Sequence, residues 1–321
     1  MSASTRPGRT IEWAGLGSLE LADKLEGMSR KVAFVVHPAK PEAVDAALEF
    51  AQGMSEKAIE CLGLGQRAEL VADKCANVQI CRPEDLTNDV EVMVVFGGDG
   101  TILAAAEMAV PHGIPLLGVN LGHVGFLAEL DPSNIPELIE QVISRHYDVE
   151  ERLTLDVSVN DNGEEVWHSF AVNEVTIEKH AKTKMLDLLI EVDGLPLYRF
   201  GCDGLLVSTP TGSTAYAFSL SGPVVWPDVE AFLVVPMAAH ALFARPLVLA
   251  PDSQVDVCVA DDTGSQLVLW CDGRRTVDMP PSAKINVKQN AKKMLVARLS
   301  EQPFTSRLVK KFKLNVEGFR H

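Results

Sequence analysis

The chain has 321 residues, of which 47% are hydrophobic and 23% charged; this length suits about two domains with buried cores, and the composition excludes widespread disorder. A formal net charge of -15 excludes a general nucleic-acid binder and a protein that coats anionic membranes, so an anionic ligand has to be met locally by backbone amides, lysines or a metal. Six cysteines without a C-x-x-C pair fit neither a zinc site nor a disulfide framework, and no apolar run reaches the ~18 residues of a membrane span, so a soluble protein of the reducing cytoplasm is expected.

Residues 1–29 mix Ser, Thr, Arg, Pro and Gly around one short apolar patch and read as a flexible N-terminal extension. From Lys31 the text changes. Val32 to His37 is an apolar run of strand length that suits a parallel strand buried on both faces. Pro41 to Ala51 follows with Val44, Ala47, Leu48 and Ala51 at helical spacing. A second βα unit is expected near Ala68 to Val71. A third runs from the strand Val92–Phe96 into a helix over Thr101–Val110. Between them lies Gly97-Gly98-Asp99-Gly100-Thr101, a turn whose glycines let main-chain N–H groups approach an anion at a helix N-terminus. A carboxylate beside phosphates is electrostatically costly, which gives Asp99 two readings: a charge that holds a metal or accepts a proton, or a simple helix N-cap in a βα turn.

Ile114 to Val119 is another buried strand, and it too ends in a glycine-rich loop, Asn120 to Leu127. Ligands of open α/β sheets bind outside the carboxyl ends of the strands, so two such loops predict one shared crevice. Asn134 to Arg145, with Leu138, Ile139, Val142 and Ile143 on one face, closes a first domain over 30–147.

Beyond it the period becomes two. Leu153, Leu155, Val157 and Val159 alternate with polar residues, as do Leu186, Leu188, Ile190 and Val192, and Asp161-Asn162-Gly163 and Asp193-Gly194 mark turns. Strands are expected through Asp256–Val259, Gln266–Trp270 and Lys284–Val287. The fold class is therefore a Rossmann-like N-terminal α/β domain followed by a β-rich layered sheet or sandwich over 148–290. A C-terminal segment, 291–321, is expected to pack back on the first domain. Within the β region, Phe200 to Tyr216 gathers Ser208, Thr209, Thr211, Ser213 and Thr214 around a proline and a glycine. These are short donors suited to ribose or phosphate oxygens, or else a structural loop that caps the next helix. His123 is a candidate for facing phosphate. His240 is expected to be packed and hydrogen-bonded, Trp226 and Trp270 to be core or interface aromatics, and Cys202 a small apolar filler.

Taken together, Gly97-Gly98-Asp99-Gly100-Thr101, the loop Gly118 to Leu127, Asn173-Glu174, and Asp203-Gly204 through Thr209-Pro210-Thr211-Gly212-Ser213-Thr214-Ala215-Tyr216 closely resemble the NAD kinase family, in particular its actinobacterial members, from about Lys31 to Arg298. The resemblance implies phosphoryl transfer from ATP, or polyphosphate, to the 2′-hydroxyl of the adenosine ribose of NAD, giving NADP. It implies Mg²⁺ without evident protein ligands, and a homodimer or homotetramer. It implies Asp99 as the base, phosphate contact by Gly97, Gly98, Gly100 and Thr101, and further NAD contacts by Asn120, Phe126, Asn173, Glu174, Asp203, Thr214, Ala215, Tyr216 and Ser219, with Phe126 covering the adenine. The chain departs from the family pattern at three places: Ala104 stands where many relatives have arginine, an Ala-Gly-Gly stretch reads Leu220-Ser221-Gly222, and Met237-Ala238 replaces an Asn-Asn pair. The first motif also occurs in diacylglycerol-type lipid kinases, and a non-catalytic dinucleotide sensor is the reading from outside the kinases. The hydroxyl-rich segment speaks against the lipid kinase and Asp99 against the sensor.

Overall fold

The computed structural model describes residues 30–121, 125–128, 134–180, 185–241, 244–259, 267–280, 283–299 and 303–316; the expected N-terminal extension and His123 lie outside these residues. The chain divides into two compact units, one made of the residues up to Glu151 and from Met294 onward, the other of Arg152–Lys293. No helix among the described residues is long and apolar enough to cross a membrane.

The first unit is built on β1 (Lys31–Val36), β2 (Glu60–Leu64), β3 (Val78–Ile80), β4 (Met93–Phe96), β5 (Leu116–Val119) and β6 (Asp148–Arg152), with α1 (Pro41–Ser55), α2 (Glu69–Ala72), α3 (Asp99–Ala109) and α4 (Ile135–Ser144) between them. The apolar runs are buried throughout: every residue of β4 and β5 is buried, as a parallel strand covered on both faces requires. Helix α1 starts on Pro41, where the missing N–H costs no hydrogen bond, and turns Ala43, Ala47, Phe50 and Met54 into the core. Ala68 and Val71, expected within a second βα unit, cap and form α2, while its strand lies earlier. Gly63 in β2 hid that strand from the pattern, and its glycine is required because a Cβ there would stand 2.8 Å from the Cβ of Ala68.

The sheet order is β3-β2-β1-β4-β5-β19-β6, where β19 (Met294–Arg298) comes from the far end of the chain and pairs in parallel with β5. From β1 the chain winds outward one way through β2 and β3, then returns to β4 on the other side of β1 and winds the opposite way. The glycine loop after β4 thus leaves the sheet at the point where the strand order reverses, where the crevice of such sheets forms.

The second unit is a sandwich of two antiparallel sheets. The first sheet contains β7 (Leu155–Asp161), β8 (Glu164–Ala171), β10 (Leu186–Val192), β11 (Leu195–Cys202), β15 (Val255–Val259) and β18 (Lys284–Gln289). The second contains β9 (Glu174–Lys179), β12 (Gly204–Ser208), β13 (Phe232–Met237), β14 (Leu247–Leu249), β16 (Leu267–Cys271) and β17 (Arg275–Met279). The alternating apolar residues face inward, so that Leu155, Val157, Leu188 and Ile190 of one sheet share a core with Val175, Ile177, Leu205 and Phe232 of the other. Asn162-Gly163 and Asp193-Gly194 occupy two-residue hairpin turns with positive φ at both positions, the geometry that suits the strand twist. On its outward face the second sheet is covered by Ala217, Leu220 and Val225, packed on Leu206, Leu233 and Val235. The segment after β12, including the short helix α5 (Tyr216–Ser219), is folded over that face.

Two of the departures from the family pattern have a backbone consequence. Ser221 adopts φ 63° and Ala238 φ 45°, left-handed conformations that favour glycine or asparagine over a residue with an ordinary Cβ. Ser221→Gly is expected to stabilise the protein by about 1 kcal/mol, read as a higher Tm in thermal denaturation. A Tm that stays level or falls would show that Ser221 carries no strain.

Candidate functional site

In the first unit, β4 is followed by Gly97, whose N–H donates to Val119 O of β5 at 2.9 Å. A Cβ on Gly97 would meet the Thr101 side chain at 2.4 Å, whereas Gly98 and Gly100 face open space. Asp99 opens α3, and Thr101 is buried against the strand end. The first N–H groups of α3 have no intrahelical acceptor and carry the positive end of its dipole. Asn120 is buried at the end of β5. Beside these strand ends, in the loop after β1, His37 Nδ1 accepts the N–H groups of Ala39 and Lys40 at 3.0 and 3.2 Å. Lys40 Nζ donates to Leu121 O, which sets an ammonium group at the ends of β1 and β5, the two strands that flank β4.

The Asp99 carboxylate is held on both oxygens. Phe126 N–H donates to Oδ2 at 3.0 Å and Leu127 N–H to Oδ1 at 3.1 Å. Gly125 packs so closely that a Cβ there would lie 2.2 Å from Oδ1. Asp99 is therefore not a side-chain N-cap of its own helix, and none is found for α3. The expectation for Phe126 needs correction in one respect. Its ring packs on Phe304 and Phe312 of α6 (Phe304–Phe312) at centroid distances of 5.6 and 6.1 Å and is 9% exposed. Burial of three aromatic rings together outweighs exposure of one ring towards a ligand, and Phe126 serves the site through its backbone.

In the second unit the organising group is one that the sequence analysis did not single out, Asp272, which with Gly273 forms a hairpin turn between β16 and β17. Its carboxylate accepts the N–H groups of Val172 at 3.0 Å, Asn173 at 2.7 Å and Glu174 at 3.3 Å. Arg275 Nη2 donates to it at 2.7 Å, and Arg275 is itself stacked over the Phe170 ring at 4.3 Å. Asp272 has φ 54°, a conformation aspartate tolerates better than most residues. Burial still pushes its pKa upward against these donors. The Asp-Gly dipeptide was the available signal, identical to that of Asp193-Gly194.

The hydroxyl-rich segment turns out to be mostly scaffold. Ser208, Thr209 and Ser213 are fully buried. Ser208 Oγ donates to Asn173 O at 3.1 Å and Thr209 Oγ1 to Val172 O at 2.6 Å. Ser213 Oγ donates to Pro210 O at 2.7 Å and accepts Val225 N–H at 2.9 Å. Gly212 lies where a Cβ would come within 2.1 Å of Asn173 O. The backbone at Asn173 is thus clamped from β12 on one side and from Asp272 on the other, with its side chain half-buried. Thr211, Thr214 and Ala215 are partly exposed, and Tyr216 and the following Ser219 are exposed.

Glu174, Thr176, Glu178, Tyr216, Trp270 and Gly273 line an open depression of about 310 Å³ on the outward face of the second sheet. Glu174 is 8% exposed and its Oε2 has no hydrogen-bond partner among the described residues. Burial and the neighbouring Asp272 push its pKa up to about 8, against a downward pull from the Tyr216 N–H. Trp270 is a wall of this depression, and Trp226 is exposed rather than core. Asp203 is not gathered with Asn173 and Glu174. It precedes β12, whereas Ser208 at the other end of that strand pairs with Glu174, and its carboxylate is ion-paired with Lys179. His240, expected to be packed, is exposed, and its hydrogen bond to Gly201 O is made by the main chain. Cys202 is buried with its thiol pushed up to about 11, which suits a filler.

Residues 32–147 match the family ATP-NAD kinase N-terminal domain and residues 172–299 the ATP-NAD kinase C-terminal domain. Among curated proteins, the chain is 50% identical over 293 residues to an NAD kinase of Cutibacterium acnes, covering 91% of this chain and 92% of that one. It is 45% identical over 303 residues to an NAD kinase of Thermobifida fusca, covering 92% and 93%. Among solved structures, yeast NADH kinase complexed with NADH is similar with a TM-score of 0.81 at 25% identity, covering 91% of this chain and 89% of that one. An NAD kinase from Archaeoglobus fulgidus in complex with ATP has a TM-score of 0.68 at 24% identity, covering 89% and 100%.

The raised pKa of Glu174 has a signed consequence. The folded unit keeps a proton that the unfolded chain releases at its ordinary value of 4.5, so the stabilisation is complete below 4.5 and is lost as pH rises through about 8. Glu174→Gln removes this group. The Tm of the variant is expected to gain on that of the wild type steadily from pH 5 to about 8 and to run parallel above it. A difference independent of pH would contradict burial of a protonated Glu174.

Proposed function

The chain belongs to the ATP-NAD kinase family, and from that membership we propose that it phosphorylates NAD to NADP with ATP as phosphoryl donor. The acceptor in this reading is the 2′-hydroxyl of the adenosine ribose. The observation that carries it is the glycine loop at the strand-order reversal, whose Gly98 and Gly100 face open space and whose one carboxylate, Asp99, is held by the N–H groups of Phe126 and Leu127 from the loop after β5. A ribose hydroxyl is a weak nucleophile at neutral pH, and a carboxylate that takes its proton as the new O–P bond forms helps directly. Asp99 accepts that proton, the bond between the γ-phosphorus and its bridging oxygen breaks, and ADP leaves. A carboxylate has about four lone-pair sites, of which two are engaged by Phe126 and Leu127, so Asp99 keeps acceptor capacity for the hydroxyl. Most of the remaining effect comes from positioning and charge neutralisation, for which the α3 N-terminus, Gly98, Gly100 and Lys40 are the groups at hand.

No group of three or more His, Cys, Asp or Glu residues able to hold a metal occurs among the described residues. In this reading a Mg²⁺ ion would accompany the phosphates, with few protein ligands, and would supply neutralisation of phosphate charge. On the acceptor side, Asn173, Glu174, Thr214, Ala215, Tyr216 and Ser219 are the proposed dinucleotide contacts, with Asp203 as a contact at the other end of β12.

A homodimer or homotetramer in the cytoplasm is proposed with it. Its support in the second unit is the apolar surface on two edge strands, where Leu195 is 71% exposed, Leu197 50% and Val248 59%; exposed apolar patches of this kind mark interaction surfaces.

Incubation with NAD, ATP and Mg²⁺, with the product detected by an NADP-dependent dehydrogenase, is expected to show turnover, with polyphosphate and NADH as parallel arms for donor and acceptor range. Asp99→Asn is expected to lower kcat by roughly 10² to 10⁴ with the circular dichroism spectrum unchanged. NAD binding without NADP formation by the folded wild type would instead identify a dinucleotide sensor, and full activity of Asp99→Asn would remove the base from Asp99.

A further inference from the structure

The two-residue segment that holds Asp99 is itself held from behind. Phe126 and Leu127 direct both N–H groups at the carboxylate, and both of their carbonyls accept from arginines of the C-terminal segment. Arg307 Nη1 of α6 donates to Phe126 O at 2.8 Å, and Arg298 Nη1 of β19 donates to Leu127 O at 3.3 Å. Both arginines are 6% exposed, and Arg298 is tied to Glu150 at 3.1 Å. Phe304 and Phe312 pack on the Phe126 ring from the same helix.

One of these contacts acts through covalent geometry. The carbonyl of Phe126 and the N–H of Leu127 belong to one planar trans peptide group, so they point in opposite directions and cannot be turned independently. A guanidinium fixed on Phe126 O therefore fixes the direction of Leu127 N–H, which is the donor to Asp99 Oδ1. A cationic donor on the carbonyl also polarises the peptide and strengthens the N–H on its other side. Gly125 lets this peptide approach the carboxylate closely.

We infer that Arg307, in the C-terminal helix, is a positioning residue for Asp99, acting through the Phe126–Leu127 peptide plane. The inference rests on the reading of Asp99 as proton acceptor. It makes this one arginine part of the reaction machinery although it touches no reacting atom. An Asp99 that has lost its orienting N–H still sits beside bound substrates but samples unproductive directions, so the defect appears in kcat and not in binding.

The test uses the full chain with Arg307→Met, Arg307→Lys and, as a packing control, Phe304→Leu. Arg307→Met is expected to lower kcat by roughly 10- to 100-fold while KM for NAD and ATP stays within about twofold. Added guanidinium ion is expected to restore part of the loss in Arg307→Met and none in Asp99→Asn. Phe304→Leu is expected to lower Tm without lowering kcat. Amide hydrogen exchange gives a readout independent of turnover: the Leu127 amide is expected to exchange faster in Arg307→Met and in Asp99→Ala than in the wild type, and Arg307→Lys to fall between. If the wild type makes no NADP but exchange responds in this way, the assignment of the reaction fails and the positioning by Arg307 stands. Unchanged exchange at Leu127 in folded Arg307→Met, or a loss of kcat that guanidinium does not relieve and Phe304→Leu reproduces, overturns it.

Discussion

A single buried carboxylate fixes the shape of the second unit where it matters most. Three successive backbone N–H groups, those of Val172, Asn173 and Glu174, converge on Asp272. Backbone N–H groups arrayed in this way form a concavity for an anion, and here the anion is the protein's own. Desolvating that charge costs free energy, offset by the N–H donors and by Arg275. What the arrangement provides is a chain that cannot slide at the start of β9, so that Glu174 enters the outward face of the sheet at a fixed height. Gly212 and the hydroxyls of Ser208 and Thr209 close on the same two peptides from the other side.

The first unit uses the same chemistry with the roles exchanged. At Asp99 two successive N–H groups hold a carboxylate, but this one is only partly buried and keeps unused lone pairs. One carboxylate thus serves the backbone, while at the other the backbone serves the carboxylate. In both, a glycine provides the close approach: Gly125 against Asp99, and Gly212 against Asn173. Neither glycine has a positive φ. They are required by lack of space and not by conformation, which is why a turn-based reading of glycine does not find them.

Much of this was legible in the sequence because it rests on local rules. Parallel strands buried on both faces read as apolar runs, the sandwich strands as alternation, and the hairpins as Asn-Gly and Asp-Gly. The glycine loop after β4 announced itself by composition. What escaped depends on partners distant in the chain. Met294–Arg298 is a strand only because β5 lies open to receive it, and nothing in those five residues says so. Asp272 looks like any hairpin aspartate until Val172 to Glu174 are placed opposite it. The hydroxyls of Ser208, Thr209 and Ser213 suggested a ligand because sequence shows donors but not acceptors, and the acceptors proved to be backbone carbonyls nearby. The aromatic ring of Phe126 reads as a ligand contact for the same reason, because its partners Phe304 and Phe312 lie far away in the chain.

The position of β19 also bears on how the protein is made. Its pairing joins Val296 to Leu116, so the sheet that carries the glycine loop stays open at that place until every strand of the sandwich has been synthesised. The sandwich, formed by a continuous stretch, has all of its strands earlier. Closing so long a loop is slow compared with local pairing, and a domain whose strands emerge together folds as a unit during synthesis. The unit that begins ahead of the sandwich is therefore completed after it. A nascent chain cannot place either arginine behind the Asp99 bracket before β19 and α6 have left the ribosome, and a product truncated ahead of β19 lacks both of them.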